Sequence, residues 1–273
     1  MQPHERIIVA LDLDDVDQAL EITTILRPYV GMFKIGLQLQ HALLVRMLST
    51  SQSERRMDDI QRLFVQVSGR LMWDGKLHDI PNTVGKAAKE IGGALSATMF
   101  TIHASGGVEM ILAAVANKGT AKVLGVTVLT SLDDKTCARS YGVRPDIKVS
   151  EFADMLIEAG ADGIVCSPLE LRLICAAKKI DRETGEKTPR FEKLLKVIPG
   201  IRLAGSSNHD QARVMTPSNA IQAGADYLVI GRDITQARNL VGTAKRIAEE
   251  IALALDHDTE PAPPVLEATN ERT

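Results

Sequence analysis

Eight short runs rich in Val, Ile and Leu recur along the 273-residue chain, at 7–13, 32–35, 71–74, 97–102, 122–129, 163–166, 195–199 and 227–230. Nearly continuous apolar runs of this length are strands buried on both faces, and strands of that kind belong to parallel sheets. Parallel neighbours need long crossovers, normally helices. Helical spacing fills the gaps, at 16–26, 38–47, 83–91, 107–116, 149–159, 169–177, 218–223 and 236–255. Eight strand-then-helix units predict an α/β fold, a closed (β/α)8 TIM barrel, in a single domain over 1–255. An open doubly wound sheet is the alternative, and its first strand would run into a glycine-rich nucleotide loop. Here the first strand runs into Leu11, Asp12, Leu13, Asp14 and Asp15, with neither GxGxxG nor GxxxxGK. In a barrel the chemistry sits at the carboxyl ends of the strands, and a phosphate often binds after strands seven and eight.

Two segments read as surface insertions, the polar run 49–59 and the charged stretch 181–190. Residues 256–273 contain three prolines and few large apolar groups, and read as a mobile Pro-rich tail without chemistry. With 45% hydrophobic and 25% charged residues the chain fits an ordinary soluble globular protein. A net charge of -3 provides no basic field to gather nucleic acid or anionic lipid. Aromatic residues are only 3%, with Trp73 the sole tryptophan, which leaves few stacking platforms for single-stranded nucleic acid. No segment approaches the roughly 20 apolar residues of a membrane span, and the amino-terminal residues lack a signal-peptide core. Cys137, Cys166 and Cys175 form no CxxC pair, as expected of thiols in a reducing cytosol. These features point to a cytoplasmic enzyme with neither a nucleic-acid nor a membrane partner.

The strand ends are unusually polar: Asp12, Lys34, Asp74 with Lys76, His103, Thr130, the segment from Pro199 to Arg202, and Gly231 with Arg232. In an extended strand Asp74 and Lys76 project to the same side, and Asp79 follows as the chain turns into the next helix. Lys34 would balance the second carboxylate, so that Lys34, Asp74, Lys76 and Asp79 sum to zero charge. Taken alone, such a triplet reads as a helix cap or solvated ion pairs. At the end of the third strand of a barrel it reads as catalytic machinery. Arg232 follows strand eight, where its fork could grip phosphate and the backbone around Gly231 could approach closely. There is no HxH or HExxH spacing for a metal and no GxSxG for a nucleophile. Neither metal nor covalent catalysis is indicated.

The segment DGKLHDIPNTV, 74–84, closely resembles the DxKxxDIPNT signature of the orotidine 5'-phosphate decarboxylases. The resemblance continues through IIVALDLDD (7–15), FKIGLQL (33–39), HASGG (103–107), VTVLTSLD (126–133), PGIR (199–202) and DQARVMTPSNAIQAGADYLVIGRDIT (210–235), nearly the whole chain to about Leu255. It implies decarboxylation of orotidine monophosphate to uridine monophosphate, the last step of de novo pyrimidine synthesis, by a homodimeric barrel without a cofactor. It places Lys76 as the proton donor to C6, Asp74 beside the substrate carboxylate, Lys34 in an alternating charge network and Asp12 on the ribose. Asp79 and Thr83 would serve the neighbouring subunit's site, with Ile80 between them also on the substrate, and Thr130 would lie at the pyrimidine end. Arg202, Gln211, Gly231 and Arg232 would hold the phosphate end and its closing loop.

Three features depart from the family pattern: Gly75 between the Asp and the Lys, Ile198 before PGI, and the loop sequence LAGSSNHDQ. Strand alternation would point Gly75 away from the active side. His103 reads as a structural histidine, because Lys76 already supplies the proton. Two other readings compete: a magnesium-dependent sugar-phosphate enzyme of the same superfamily, and a catalytically dead barrel kept as a binding protein. DIPNT, PGIR and GRDIT favour the pyrimidine enzyme over the first. Retention of four buried charges argues against the second.

Overall fold

The computed structural model describes residues 1–48, 53–180, 185–204 and 214–256. In chain order its elements begin with β1 (Ile7–Ala10), α1 (Val16–Leu26), β2 (Met32–Gly36), α2 (Leu37–Leu48), α3 (Ser53–Val67), β3 (Leu71–Leu77) and α4 (Pro81–Gly92). They continue with β4 (Met99–His103), α5 (Val108–Asn117), β5 (Lys122–Val126), α6 (Asp134–Tyr141), α7 (Pro145–Glu158), β6 (Gly163–Val165) and α8 (Pro168–Ala176). The last are β7 (Lys178–Ile180), β8 (Lys187–Pro189), β9 (Leu195–Ile198), α9 (Pro217–Gln222), β10 (Tyr227–Ile230), α10 (Arg232–Thr235) and α11 (Leu240–Asp256). Among the described residues eight strands close a parallel barrel in the order β1, β2, β3, β4, β5, β6, β9, β10, with β10 paired back to β1. This is the expected (β/α)8 barrel, and each of the eight apolar runs contributes one of its strands.

Strand alternation divides the interior into two cores. Inward residues Ile8, Ala10, Met32, Met72, Met99, Leu124, Val197 and Val229 fill the lumen. Outward residues such as Ile7, Val9, Phe33, Ile35, Phe100 and Ile102 join the helices in a larger core. Burying a side chain of this size contributes roughly 1.5–3 kcal/mol, so the helical shell is fixed chiefly by the outward set. α1 illustrates the local logic. Asp15 caps it by accepting from the amides of Asp17 (2.8 Å) and Gln18 (3.3 Å), a cap worth about 1 kcal/mol. Its stripe of Val16, Ala19, Leu20, Ile22, Thr23 and Leu26 is buried.

Several expectations need correction. The run 49–59 was expected as a surface insertion, but from Ser53 onward it belongs to α3, a separate helix whose Ile60, Leu63 and Val67 are buried. Arg46 of α2 fastens that helix to the shell, with Nη2 2.7 Å from Asp17 of α1 and 2.8 Å from Asp59 of α3. In the stretch 181–190, by contrast, the surface reading fits what is described: residues 187–189 form the exposed β8, paired antiparallel with the exposed β7. α6 is an additional helix, capped by Asp133 and closed by Gly142 at φ 78, a left-handed turn that glycine adopts without strain. α7 begins at Pro145 rather than 149, the helix expected over 236–255 is α11, which begins at Leu240, and the short α10 before it is an additional turn of helix. Residues 49–52, 181–184, 205–213 and nearly all of the expected tail lie outside the described residues.

Candidate active site

The alternation that fills the lumen with apolar groups turns polar one step nearer the carboxyl ends. On β2, Lys34 follows Met32; on β3, Asp74 follows Met72; on β4, Thr101 follows Met99. Beyond Ala10 of β1 comes Asp12, in the loop. The side chains of Asp12, Lys34 and Asp74, together with that of Lys76, form one chain of contacts. Lys34 Nζ lies 2.8 Å from Asp12 Oδ1 and 3.1 Å from Asp74 Oδ2, and Lys76 Nζ lies 2.7 Å from the same Asp74 oxygen. The signs alternate along this chain and its charge is zero within one copy of the protein. Within one copy the fourth member is Asp12, and Asp79 of the same chain stands apart from it.

Burial makes these interactions strong. Burial alone would raise the Asp74 carboxyl, but Lys34 and Lys76, with hydrogen bonds from Lys76 and Thr101, hold it down at about 2. Burial likewise opposes charge on Lys34, yet the carboxylates of Asp74 and Asp12 outweigh it and keep its pKa above the ordinary lysine range. Side-chain exposure grades from 8% at Asp74 and 10% at Lys34 to 30% at Lys76 and 54% at Asp12. The central pair is thus sealed while both ends face the opening.

Lys76 shares a side with Asp74, but not because the strand is extended. Its φ is 48, in the left-handed region, and the β3–β4 register jumps between Trp73 and Leu77. A non-glycine residue there costs roughly 1–2 kcal/mol, so the surroundings must hold it. The Lys76 amide donates to Thr101 Oγ1 at 3.0 Å, and that hydroxyl donates to Asp74 Oδ1 at 2.8 Å. Gly75 points outward as expected: a Cβ there would meet Trp73 Nε1 at 3.1 Å and Leu77 Cδ2 at 3.7 Å. Gly36, paired with Asp74 and facing inward, makes room for the charges. A Cβ on it would sit 2.8 Å from Lys34 Nζ and 3.1 Å from Asp12 Oδ1.

These groups line a cavity of about 520 Å³ at the carboxyl ends of the strands. Its wall includes Asp12, Lys34, Asp74 and Lys76 on one side, the apolar Val126, Val128 and Val165, and Thr130. Arg202, Gly231 and Arg232 line it beyond β9 and β10. The Arg202 side chain is buried and turns toward Asp233: its Nε lies 3.7 Å from Asp233 Oδ1, while Nη1 donates to the Ile201 carbonyl at 3.1 Å. Asp233 Oδ2 also accepts from the Leu203 amide at 2.8 Å, which ties α10 to the strand end that carries Arg202.

Asp79, Ile80 and Thr83 do not line this cavity in their own chain. They sit exposed at the start of α4, where Asp79 accepts from the Ile80 amide at 2.6 Å. Gln211 lies outside the described residues. His103 packs beside His78, with ring centroids 5.5 Å apart. Burial, His78 and Lys76 push its pKa below the usual histidine range. Thr101, Gly36 and Asp233 are site residues that sequence reasoning passed over. The available signal for Thr101 was a polar residue at an inward position of an otherwise apolar strand. Among the described residues no group of three His, Cys, Asp or Glu side chains could hold a metal ion, and no helix is long and apolar enough to cross a membrane.

The model of the "Orotidine 5'-phosphate decarboxylase / HUMPS family" matches residues 5–247. An orotidine 5'-phosphate decarboxylase of Moorella thermoacetica is 39% identical over 264 residues, covering 93% of this chain and 94% of that protein. The corresponding protein of Syntrophomonas wolfei is 40% identical over 264 residues, covering 92% and 99%. Among solved structures, orotidine 5'-phosphate decarboxylase from Lactobacillus acidophilus superposes with a TM-score of 0.66 at 31% identity, covering 90% of this chain and 98% of that one.

Proposed function

The chain belongs to the orotidine 5'-phosphate decarboxylase / HUMPS family and is a carboxy-lyase, and from that premise we propose that it converts orotidine 5'-phosphate to uridine 5'-phosphate with Lys76 as the proton donor. This is the final step in making the first pyrimidine nucleotide. The observation that carries the reading is the alternating chain Asp12, Lys34, Asp74, Lys76, whose last ammonium lines the cavity.

In the reaction the bond between C6 and its carboxylate breaks, carbon dioxide leaves, and the electron pair stays on C6. That pair lies in the plane of the ring and finds no conjugated sink, so the barrier must be lowered by much of the roughly 8–23 kcal/mol that enzymes supply. A fixed ammonium beside C6 favours the developing negative charge without reorganising when it forms. Lys76 then passes one proton from Nζ to C6 as a general acid and regains one from solvent. The Asp74 carboxylate aims Lys76, and Lys34 keeps Asp74 ionised.

At the other end Arg232 and the backbone at Gly231 receive the phosphate, with Arg202 behind them and Thr130 toward the pyrimidine. Binding energy from this non-reacting end can be used to hold C6 against Lys76. Asp79, Ile80 and Thr83 stand exposed outside their own cavity, which fits a homodimer in which they complete the partner's site. The three cysteines are all free thiols, in keeping with a reducing cytoplasm.

The test is to incubate the purified chain with orotidine 5'-phosphate, follow the loss of its absorbance and identify uridine 5'-phosphate as product. Turnover without an added cofactor is expected. Inertness toward this substrate, with magnesium-dependent turnover of a sugar phosphate, would move the chain to the other branch of its superfamily. Binding of uridine 5'-phosphate without any turnover would make it a binding protein.

A further inference from the structure

Thr101 is 1% exposed and faces the lumen between Met99 and His103, opposite the break in the β3–β4 ladder. A hydroxyl has one hydrogen to give and lone pairs to receive. Here the hydrogen goes to Asp74 Oδ1 at 2.8 Å and a lone pair receives the Lys76 amide at 3.0 Å. Both directions are dictated by the partners, since an ionised carboxylate only accepts and an amide N–H only donates. The register jump takes that N–H out of the regular ladder, and Thr101 gives it a partner. With Oδ1 occupied, Asp74 presents Oδ2 to both ammonium groups, Lys34 at 3.1 Å and Lys76 at 2.7 Å.

We propose that Thr101 is a positioning residue of the reaction: its hydroxyl clasps the Asp74 carboxylate to the Lys76 backbone and holds the proton-donating ammonium in its left-handed turn, aimed into the cavity. The proposal rests on the reading of Lys76 as proton donor. Without the hydroxyl the carboxylate is free to rotate and the backbone of Lys76 loses its buried partner. The ammonium then wanders from the reacting carbon, and a misplacement of about an ångström can cost on the order of 100-fold in rate. Binding of the ribose and phosphate depends on other residues and is unaffected.

The experiment compares wild type, Thr101→Val, which keeps the shape and removes the hydroxyl, and Thr101→Ser, which keeps the hydroxyl. Calorimetric titration with uridine 5'-phosphate counts competent sites per chain, and kcat for orotidine 5'-phosphate is expressed per such site. Thr101→Val is expected to lower kcat per site about 100-fold with KM within about threefold of wild type, and Thr101→Ser to stay within about fivefold of wild-type kcat. A merely structural role would reduce the number of sites and leave kcat per site alone. The proposal is overturned if Thr101→Val keeps kcat per site within about threefold, or if Thr101→Ser falls as far as Thr101→Val. Should Thr101→Val fail to fold, Thr101→Cys, which replaces the hydroxyl by a poorly hydrogen-bonding thiol, decides by the same criteria. A wild type inert toward orotidine 5'-phosphate overturns the decarboxylase reading itself and the clasp's catalytic role with it, an outcome distinct from an active wild type that ignores the loss of the hydroxyl.

Discussion

Replacing Asp74 by Asn preserves the side chain's shape and removes the charge that two ammonium groups face at 3.1 and 2.7 Å. Burial opposes ionisation of Asp74, but Lys34, Lys76 and the hydrogen-bond donors bring its pKa from 3.8 down to about 2. A lowering of that size corresponds to about 2 kcal/mol of stability. Because the folded pKa lies below the unfolded one, the unfolded chain binds more protons as the pH falls. The contribution is therefore complete above about pH 5, about half gone near pH 3, and lost below about pH 2. Asp74→Asn lacks it and also leaves Lys34 and Lys76 without the anion between them, so the deficit at pH 7 should be about 2–4 kcal/mol. Urea unfolding followed by the fluorescence of Trp73, the sole tryptophan and the neighbour of Asp74, measures this for both proteins. Other carboxylates titrate in both and cancel in the difference. The difference between wild type and variant should shrink by about 1 kcal/mol between pH 7 and pH 3. A difference that stays constant over that range would refute the argument that the two lysines hold Asp74 ionised.

Gly36→Ala places a Cβ 2.8 Å from Lys34 Nζ and should displace that ammonium from Asp12 and Asp74; turnover should fall by about tenfold or more and the unfolding midpoint should fall with it, and unchanged turnover would mean that the glycine is not needed for the charge network. Activity should survive chelation by EDTA, because Asp12 and Asp74 already have lysine ammonium partners; loss with EDTA and recovery with magnesium would contradict this. Mixing Lys76→Ala chains with Asp79→Ala chains, each nearly inactive alone, should restore about one quarter of wild-type activity per site, since about half the dimers are mixed and half their sites are intact. Exchange verified by mass spectrometry without recovery would place Asp79 in its own chain's site.

The barrel was legible because strands buried on both faces write themselves as unbroken apolar runs, and all eight are found in the closed sheet. The helix over 53–67 was not, since its sequence is mostly polar and its buried stripe of Ile60, Leu63 and Val67 is narrow. α6 escaped for a similar reason: of its eight residues only Cys137 is buried, and its evidence is in the caps rather than in periodicity. Within the site, Asp12, Lys34, Asp74 and Lys76 could be read from strand ends, but their connectivity could not. Alternation placed Lys76 on the correct side for the wrong reason, because no sequence rule announces a lysine at φ 48. Thr101 was hidden by being a common strand residue; its role exists only once the β3–β4 register is known.

The central claim is that the ammonium at the end of the charge chain protonates the carbon that loses carbon dioxide. The most direct measurement is kcat for orotidine 5'-phosphate of Lys76→Ala against wild type, normalised to sites that bind uridine 5'-phosphate. Asp74 retains Lys34 at 3.1 Å in this variant, so the fold should persist and the product should still bind. The account predicts that kcat per site drops by about 1,000-fold or more, a loss of roughly 4 kcal/mol of transition-state stabilisation. A folded variant whose turnover stays within about tenfold of wild type, a difference of about 1.4 kcal/mol, would remove Lys76 from the chemistry.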